Sequence, residues 1–258
     1  MLSVVEVSAN DFLVGIETDY LFLWVSMDNK FSESNQVKVV SSFNELISMR
    51  FQGENNAVCW FRDLKGDFSE IVSKLQAKDD ITDISIQDLL ILPLSEEGVI
   101  ARDIIINDLN LLQDLGALPV LNLIKSYARD EELGFISTDV YSYHVDRSAE
   151  DTDTFLCTYH GAASDIIANH QAEKKVLIPE IRQKLEALYD GPDEGFESFL
   201  SEYFFDLHYQ PKLGATSINL DTGHLWKLAV DHPGQSALPC IHRAPLENQG
   251  EYRLLLIC

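Results

Sequence analysis

No stretch of the chain approaches the ~18 consecutive apolar residues that a membrane-spanning helix requires, which speaks against a transmembrane protein. The first residues, Met1-Leu-Ser-Val-Val-Glu, lack the basic start and apolar run of a secretory signal. Cysteine is scarce. Cys59, Cys157, Cys240 and Cys258 form neither a C-x-x-C pair nor a disulfide framework, so reduced thiols in a cytoplasmic setting are expected. Basic residues are also few, 19 Lys and Arg against 42 Asp and Glu, giving a net charge of −23. Neutralising phosphates needs a clustered basic surface, and no basic run exists here, so neither nucleic acid nor membrane is an expected partner. Gly-x-Ser-x-Gly, P-loop and dinucleotide fingerprints are missing, as are internal repeats and low-complexity tracts.

What is present is ordinary globular material: 258 residues, 46% hydrophobic and 24% charged, enough for one large core or two modest ones. The acidic excess reads as a solvated surface; the functional alternative is a partner with a basic face, or mimicry of nucleic acid. Any site for an anionic small molecule must be built locally from a few arginines and lysines.

The pattern changes near residue 115. Residues 1–55 alternate apolar stretches (Phe12-Leu-Val-Gly-Ile, Tyr20-Leu-Phe-Leu-Trp-Val) with polar turns, and Asn56-Ala-Val-Cys-Trp-Phe-Arg62 reads as a buried strand. Asp67-Phe-Ser-Glu70 has capping-box spacing, and Ser95–Leu115 carries one helical apolar stripe. Residues 1–115 are thus expected to form a mostly helical region packed on the core. From 116 to 258, β-branched and aromatic segments predict strands at 119–124, 134–144, 154–159, 216–220, 225–230 and 252–257. Helix-like segments at 174–189 and 195–205 interrupt them, a helical insertion over about 174–206. The two regions can also form one continuous domain.

The chemistry centres on Tyr143-His144-Val145-Asp146. On a strand, residues i and i+2 share a face, so His144 and Asp146 point into one space as adjacent metal ligands. The plainer alternative is a hydrogen-bonded surface pair. Pro239-Cys-Ile-His242-Arg243-Ala-Pro245 supplies a second histidine, and eleven residues after His242 comes Arg253, followed by Leu254-Leu-Leu-Ile257. Two histidines and a carboxylate make a facial triad with open positions. An arginine on a buried strand calls for a carboxylate partner, which its guanidinium can grip in bidentate fashion, unless it sits at an edge and snorkels to solvent.

This order and final spacing resemble the Fe(II)/2-oxoglutarate-dependent oxygenases. Four blocks, Tyr143-His-Val-Asp, Leu156-Cys-Thr-Tyr-His-Gly, His242-Arg-Ala-Pro and Arg253-Leu-Leu-Leu, are more closely similar to an uncharacterised bacterial family. Its members show Phe-His-Val-Asp, Cys-Thr-Tyr-x-Gly-x-Gly-Thr, His-Arg-Ser-Pro and Arg-Leu-Leu-Leu, and are often encoded near zinc-regulated genes and metal chaperones. The resemblance runs from about Asn56 to the end, with Ala57-Val-Cys-Trp-Phe-Arg62 matching an early segment. It departs at Val140-Tyr-Ser-Tyr143, where the family has a Cys-Pro-Arg-type stretch, and at Gly161-Ala-Ala-Ser164.

The resemblance implies an α+β fold whose C-terminal half is a double-stranded β-helix, or cupin-like jelly roll. His144, Asp146 and His242 would hold Fe(II), and Arg253 the distal carboxylate of 2-oxoglutarate, for oxidation of an unknown substrate, a protein among the options. Lys227 and Tyr159 are further candidates to contact that small-molecule co-substrate, against the plainer readings of a solvated lysine and a packed tyrosine; Tyr141 and Tyr143 are weighed in the same way. Two other readings remain open: a non-catalytic protein holding zinc or another divalent ion in metal homeostasis, and a metal-free acidic interaction module. His160, His170, His208, His224 and His232 show no H-x-x-x-H spacing for a second metal site, and Cys157 and Cys240 read as small buried apolar residues.

Overall fold

Strands from distant parts of the chain meet in one large sheet, and a second, smaller sheet lies against it. The computed structural model describes residues 34–258, so the apolar stretches at 12–16 and 20–25 lie outside the described residues. In chain order the strands are β1 (Val37–Val40), β2 (Ala57–Trp60), β3 (Ile81–Ile84), β4 (Val120–Ile124), β5 (Tyr143–His144), β6 (Asp153–His160), β7 (Asp165–Ile167), β8 (Ala172–Lys174), β9 (His208–Pro211), β10 (Ser217–Asn219), β11 (Leu225–Ala229), β12 (Ile241–Arg243) and β13 (Arg253–Ile257). The helices are α1 (Phe43–Ser48), α2 (Phe68–Lys74), α3 (Ile86–Leu90), α4 (Glu96–Asp114), α5 (Pro179–Leu188) and α6 (Phe196–Glu202).

The seven-stranded sheet runs β1-β2-β11-β6-β13-β4-β3 and the six-stranded sheet β10-β7-β12-β5-β9-β8. Their ladders are antiparallel except for β1 with β2. The fold is therefore mixed α+β. The region expected to be mostly helical contributes three strands to the large sheet, and β3 pairs with β4 across the 115/116 boundary. These strands have only four residues each, too short for alternation to stand out in the sequence.

Alternation decides which face each side chain joins. On β11, Trp226 and Leu228 enter a core shared with Cys59 of β2, Leu156 of β6, Leu255 of β13 and Ile166 of β7, so this face looks onto the small sheet. Leu225 and Ala229 face the other way, with Phe155, Cys157 and Tyr159, into the core built by Ile105, Leu109 and Leu112 of α4. Ser95 caps α4 by accepting from the Gly98 N–H, and Asp67 caps α2 by accepting from the Glu70 N–H. No helix among the described residues is long and apolar enough to cross a membrane.

Two expected elements change. Over 134–144 only Tyr143–His144 is strand. Asp130 accepts from the backbone N–H groups of Glu132 and Thr138, and Asp139 from those of Asp130, Tyr141 and Ser142, so carboxylates satisfy this segment instead of a ladder. The expected helix from 174 begins only at Pro179, in the first helical turn where proline fits. Of the residues before it, Lys175–Leu177 form a 3-10 turn and Ala172–Lys174 form β8, which pairs with β9, so the insertion is a strand–helix–helix–strand unit that extends the small sheet beyond β5.

Candidate metal centre

Residues paired across a ladder share a face. His242 on β12 pairs with His144 on β5 and also with Ile166 on β7, which belongs to the core between the sheets. Both imidazoles therefore stand on the inner face of the small sheet, their ring centres 4.5 Å apart. Asp146 comes from the chain just beyond β5. One ligand atom from each of His144, Asp146 and His242 lies within 4.8 Å of the others, the arrangement a single ion needs.

Each member is pre-oriented. The His144 Nδ1 donates to the Ser142 carbonyl at 2.8 Å, and the His242 Nδ1 to the Cys240 carbonyl at 3.1 Å. That tautomer leaves both Nε2 lone pairs free, aimed at Asp146 Oδ1 from 4.0 and 3.6 Å. Thr154 donates to the other carboxylate oxygen, Asp146 Oδ2, at 2.5 Å. Ligands ~2.1 Å from an ion at right angles lie about 3.0 Å apart, so gripping one requires only a small contraction. Burial, reinforced by His242, pushes the His144 pKa down to about 4, which keeps its imidazole neutral. Burial works against the Asp146 charge, but His242 and the Thr154 hydroxyl outweigh it and hold its pKa below the ordinary value. Two imidazoles and one carboxylate suit Fe(II) and also Zn(II).

Arg253 lies on the facing sheet, two residues before Leu255 of the shared core. It is 6% exposed, and no carboxylate accepts from it among the described residues. Its guanidinium instead donates to three hydroxyls: Tyr127 at 3.2 Å, Thr158 at 3.0 Å and Ser164 at 2.9 Å. Its Nε has no partner there at all. Burial lowers the Arg253 pKa, and Tyr127 offsets this only in part. Gly161 sits against this strand at φ +82°, where an added Cβ would meet the Tyr252 carbonyl oxygen at 2.8 Å and the Arg253 Cα at 3.0 Å. Only glycine lets the two chain segments approach this closely.

The other two co-substrate candidates do not join this site. Lys227 alternates with Trp226 and Leu228, so it faces the helices, where it pairs with Asp153 at 3.2 Å and donates to the Met49 carbonyl. Tyr159 also points to the helix side, stacks on Phe68 and donates to Asp108 at 2.7 Å. Both are corrected to packing and structural roles. Sequence reasoning in turn missed Thr154, Thr158, Ser164 and Tyr127. Only Thr158 carried a signal, through its alternation with Leu156.

No family model, curated protein or solved structure matches this chain.

Proposed function

We propose that the protein is an Fe(II)/2-oxoglutarate-dependent oxygenase built on a jelly-roll core. The observation that carries this reading is the combination of two inner faces: a two-histidine, one-carboxylate triad on the small sheet, opposite a buried arginine on the large one that has no carboxylate partner among the described residues. The interleaved strand orders, β11-β6-β13-β4 opposite β7-β12-β5, support a double-stranded β-helix. Fe(II) with 2-oxoglutarate and dioxygen supplies oxidising chemistry when bound. The chain's own part is to offer three ligands on one side, leaving positions for the keto acid and oxygen on the other. Arg253, its fork held by Thr158, Ser164 and Tyr127, grips the distal carboxylate and fixes the keto acid's direction.

The test is an anaerobic titration with Fe(II) and 2-oxoglutarate, following the visible metal-to-keto-acid charge-transfer band, in wild type and Arg253→Met. Expected is a band in wild type and a loss of 2-oxoglutarate affinity of about tenfold or more in the variant, with metal affinity unchanged. Metal binding with no keto-acid band would replace this reading with a non-catalytic divalent-metal protein, zinc being the natural ion. No metal binding would leave an acidic interaction module.

A further inference from the structure

The two flanks of the triad are unlike. On one side Arg253 reaches Ser164, the residue just before β7. On the other side of β5 lies β9, brought there by the inserted hairpin, and its His208 pairs in register with His144. The row His242–His144–His208 therefore runs across three neighbouring strands on one inner face. If the keto acid lies toward Arg253, the β9 flank is the side left for a second molecule.

His208 has the features of a group awaiting a ligand. It is 4% exposed, its ring centre is 5.7 Å from that of His144, and its Nδ1 is buried with no hydrogen-bond partner among the described residues. A buried polar atom left in this state is costly, and an apolar ring would fill the space without that cost. The charged groups around it are accounted for. Asp130 and Asp139 are engaged by the backbone N–H groups of their own loop. Lys175, directly after the Lys174–Tyr209 pair that joins β8 to β9, donates to Ser142 Oγ at 2.7 Å and to the Ser137 carbonyl at 3.4 Å. An ammonium has three N–H groups, so one is left over. The unmet capacity on this flank belongs to nitrogen.

Building on the reading of the triad as a metal centre, we propose that the β9 flank is the subsite of the second substrate, and that His208 and Lys175 hold an oxygen acceptor of that substrate. A free organic carboxylate and a peptide carbonyl present the same chemistry to these two groups. His208 is then a binding residue that the metal does not need.

The experiment uses the full chain loaded with Zn(II), 15N-labelled at histidine, with 2-oxoglutarate present. It is titrated with acetate and, separately, with N-methylacetamide. Expected is a saturable shift of the His208 ring-nitrogen resonance with at least one probe, absent in Lys175→Met. Acetate alone acting indicates an organic acid, and N-methylacetamide alone a peptide. In His208→Phe, zinc affinity and the thermal midpoint should be kept or the midpoint raised, while probe binding measured by calorimetry is lost. A His208 signal that ignores both probes, or a His208→Phe protein that melts lower and binds the probes as before, overturns the proposal and leaves the metal reading standing. Failure of zinc to bind at all removes that reading itself.

Discussion

Arg62 and Arg253 are both buried against the large sheet, on opposite faces, and are held in opposite ways. Arg62 lies on the helix side. Its guanidinium grips both oxygens of Asp108 at 2.7 Å, donates to the Gly223 carbonyl at 3.0 Å and reaches the Cys157 sulfur at 3.3 Å. Burial works against its charge, yet Cys157, Asp108 and Tyr159 together outweigh this and raise its pKa. Among the described residues Arg253, on the side of the small sheet, has three hydroxyls, no carboxylate and an unpartnered Nε. The first arginine fastens α4 to the sheet through a carboxylate. The second has capacity that the fold does not use. That contrast is what the proposed function draws on in giving Arg253 an incoming carboxylate.

The comparison can be broken most directly at Asp108. Asp108→Ala leaves the Arg62 charge buried and uncompensated, and should cost about 3–5 kcal/mol in urea unfolding. Arg253→Met, which replaces an incompletely paired charge with a flexible apolar chain, should lie within about 1 kcal/mol of wild type or above it. Equal losses in the two variants would mean that Arg253 is as structural as Arg62.

A smaller effect sharpens the contrast at the triad. Thr154→Val removes the donor to Asp146 Oδ2 while keeping the side chain's shape. Metal affinity, measured by competition with a chromophoric chelator, should fall by about 10–100-fold with little change in unfolding midpoint. Unchanged affinity would remove Asp146 from the ligand set.

The smallest effect is a pH slope. Burial pushes His144 down to about 4 and His208 down to about 3, each aided by a neighbouring histidine. Between about pH 6.5 and 4 the unfolded chain then binds more protons than the folded one, so the metal-free protein loses stability as the pH falls through that window. Above about pH 7 neither group contributes to the slope. Thermal midpoints collected against pH should show a shallower fall for His208→Phe than for wild type. Parallel curves would mean that His208 does not stay neutral in the folded protein.

Much of the candidate metal centre was legible because it rests on short-range spacing. His144 and Asp146 share a side by i, i+2 geometry, and His242 and Arg253 follow in order on later strands. Lys227 and Tyr159 misled because parity alone does not say which face of a doubly buried strand meets the small sheet. Their neighbours Trp226, Leu228 and Thr158 took that face instead. His208, Thr154 and Ser164 carry no local signature; their roles exist only once register brings β9, β6 and the turn before β7 together. The N-terminal strands were hidden for a related reason. Four-residue segments such as Ile81–Ile84 acquire their meaning from partners far along the chain.

The small sheet has a further property at its middle. Its halves, β10-β7-β12 and β5-β9-β8, are joined through one paired position, His242 with His144, whereas β13 and β4 share five. About a hundred residues of chain lie between those two histidines, so this joint closes a very long loop with very little ladder. It is the natural seam for local opening, and its amides should exchange with solvent well before those of the large sheet. An ion held by His144 and His242 would straddle that seam and act as a rivet, so that loading the site and closing the sheet become one event.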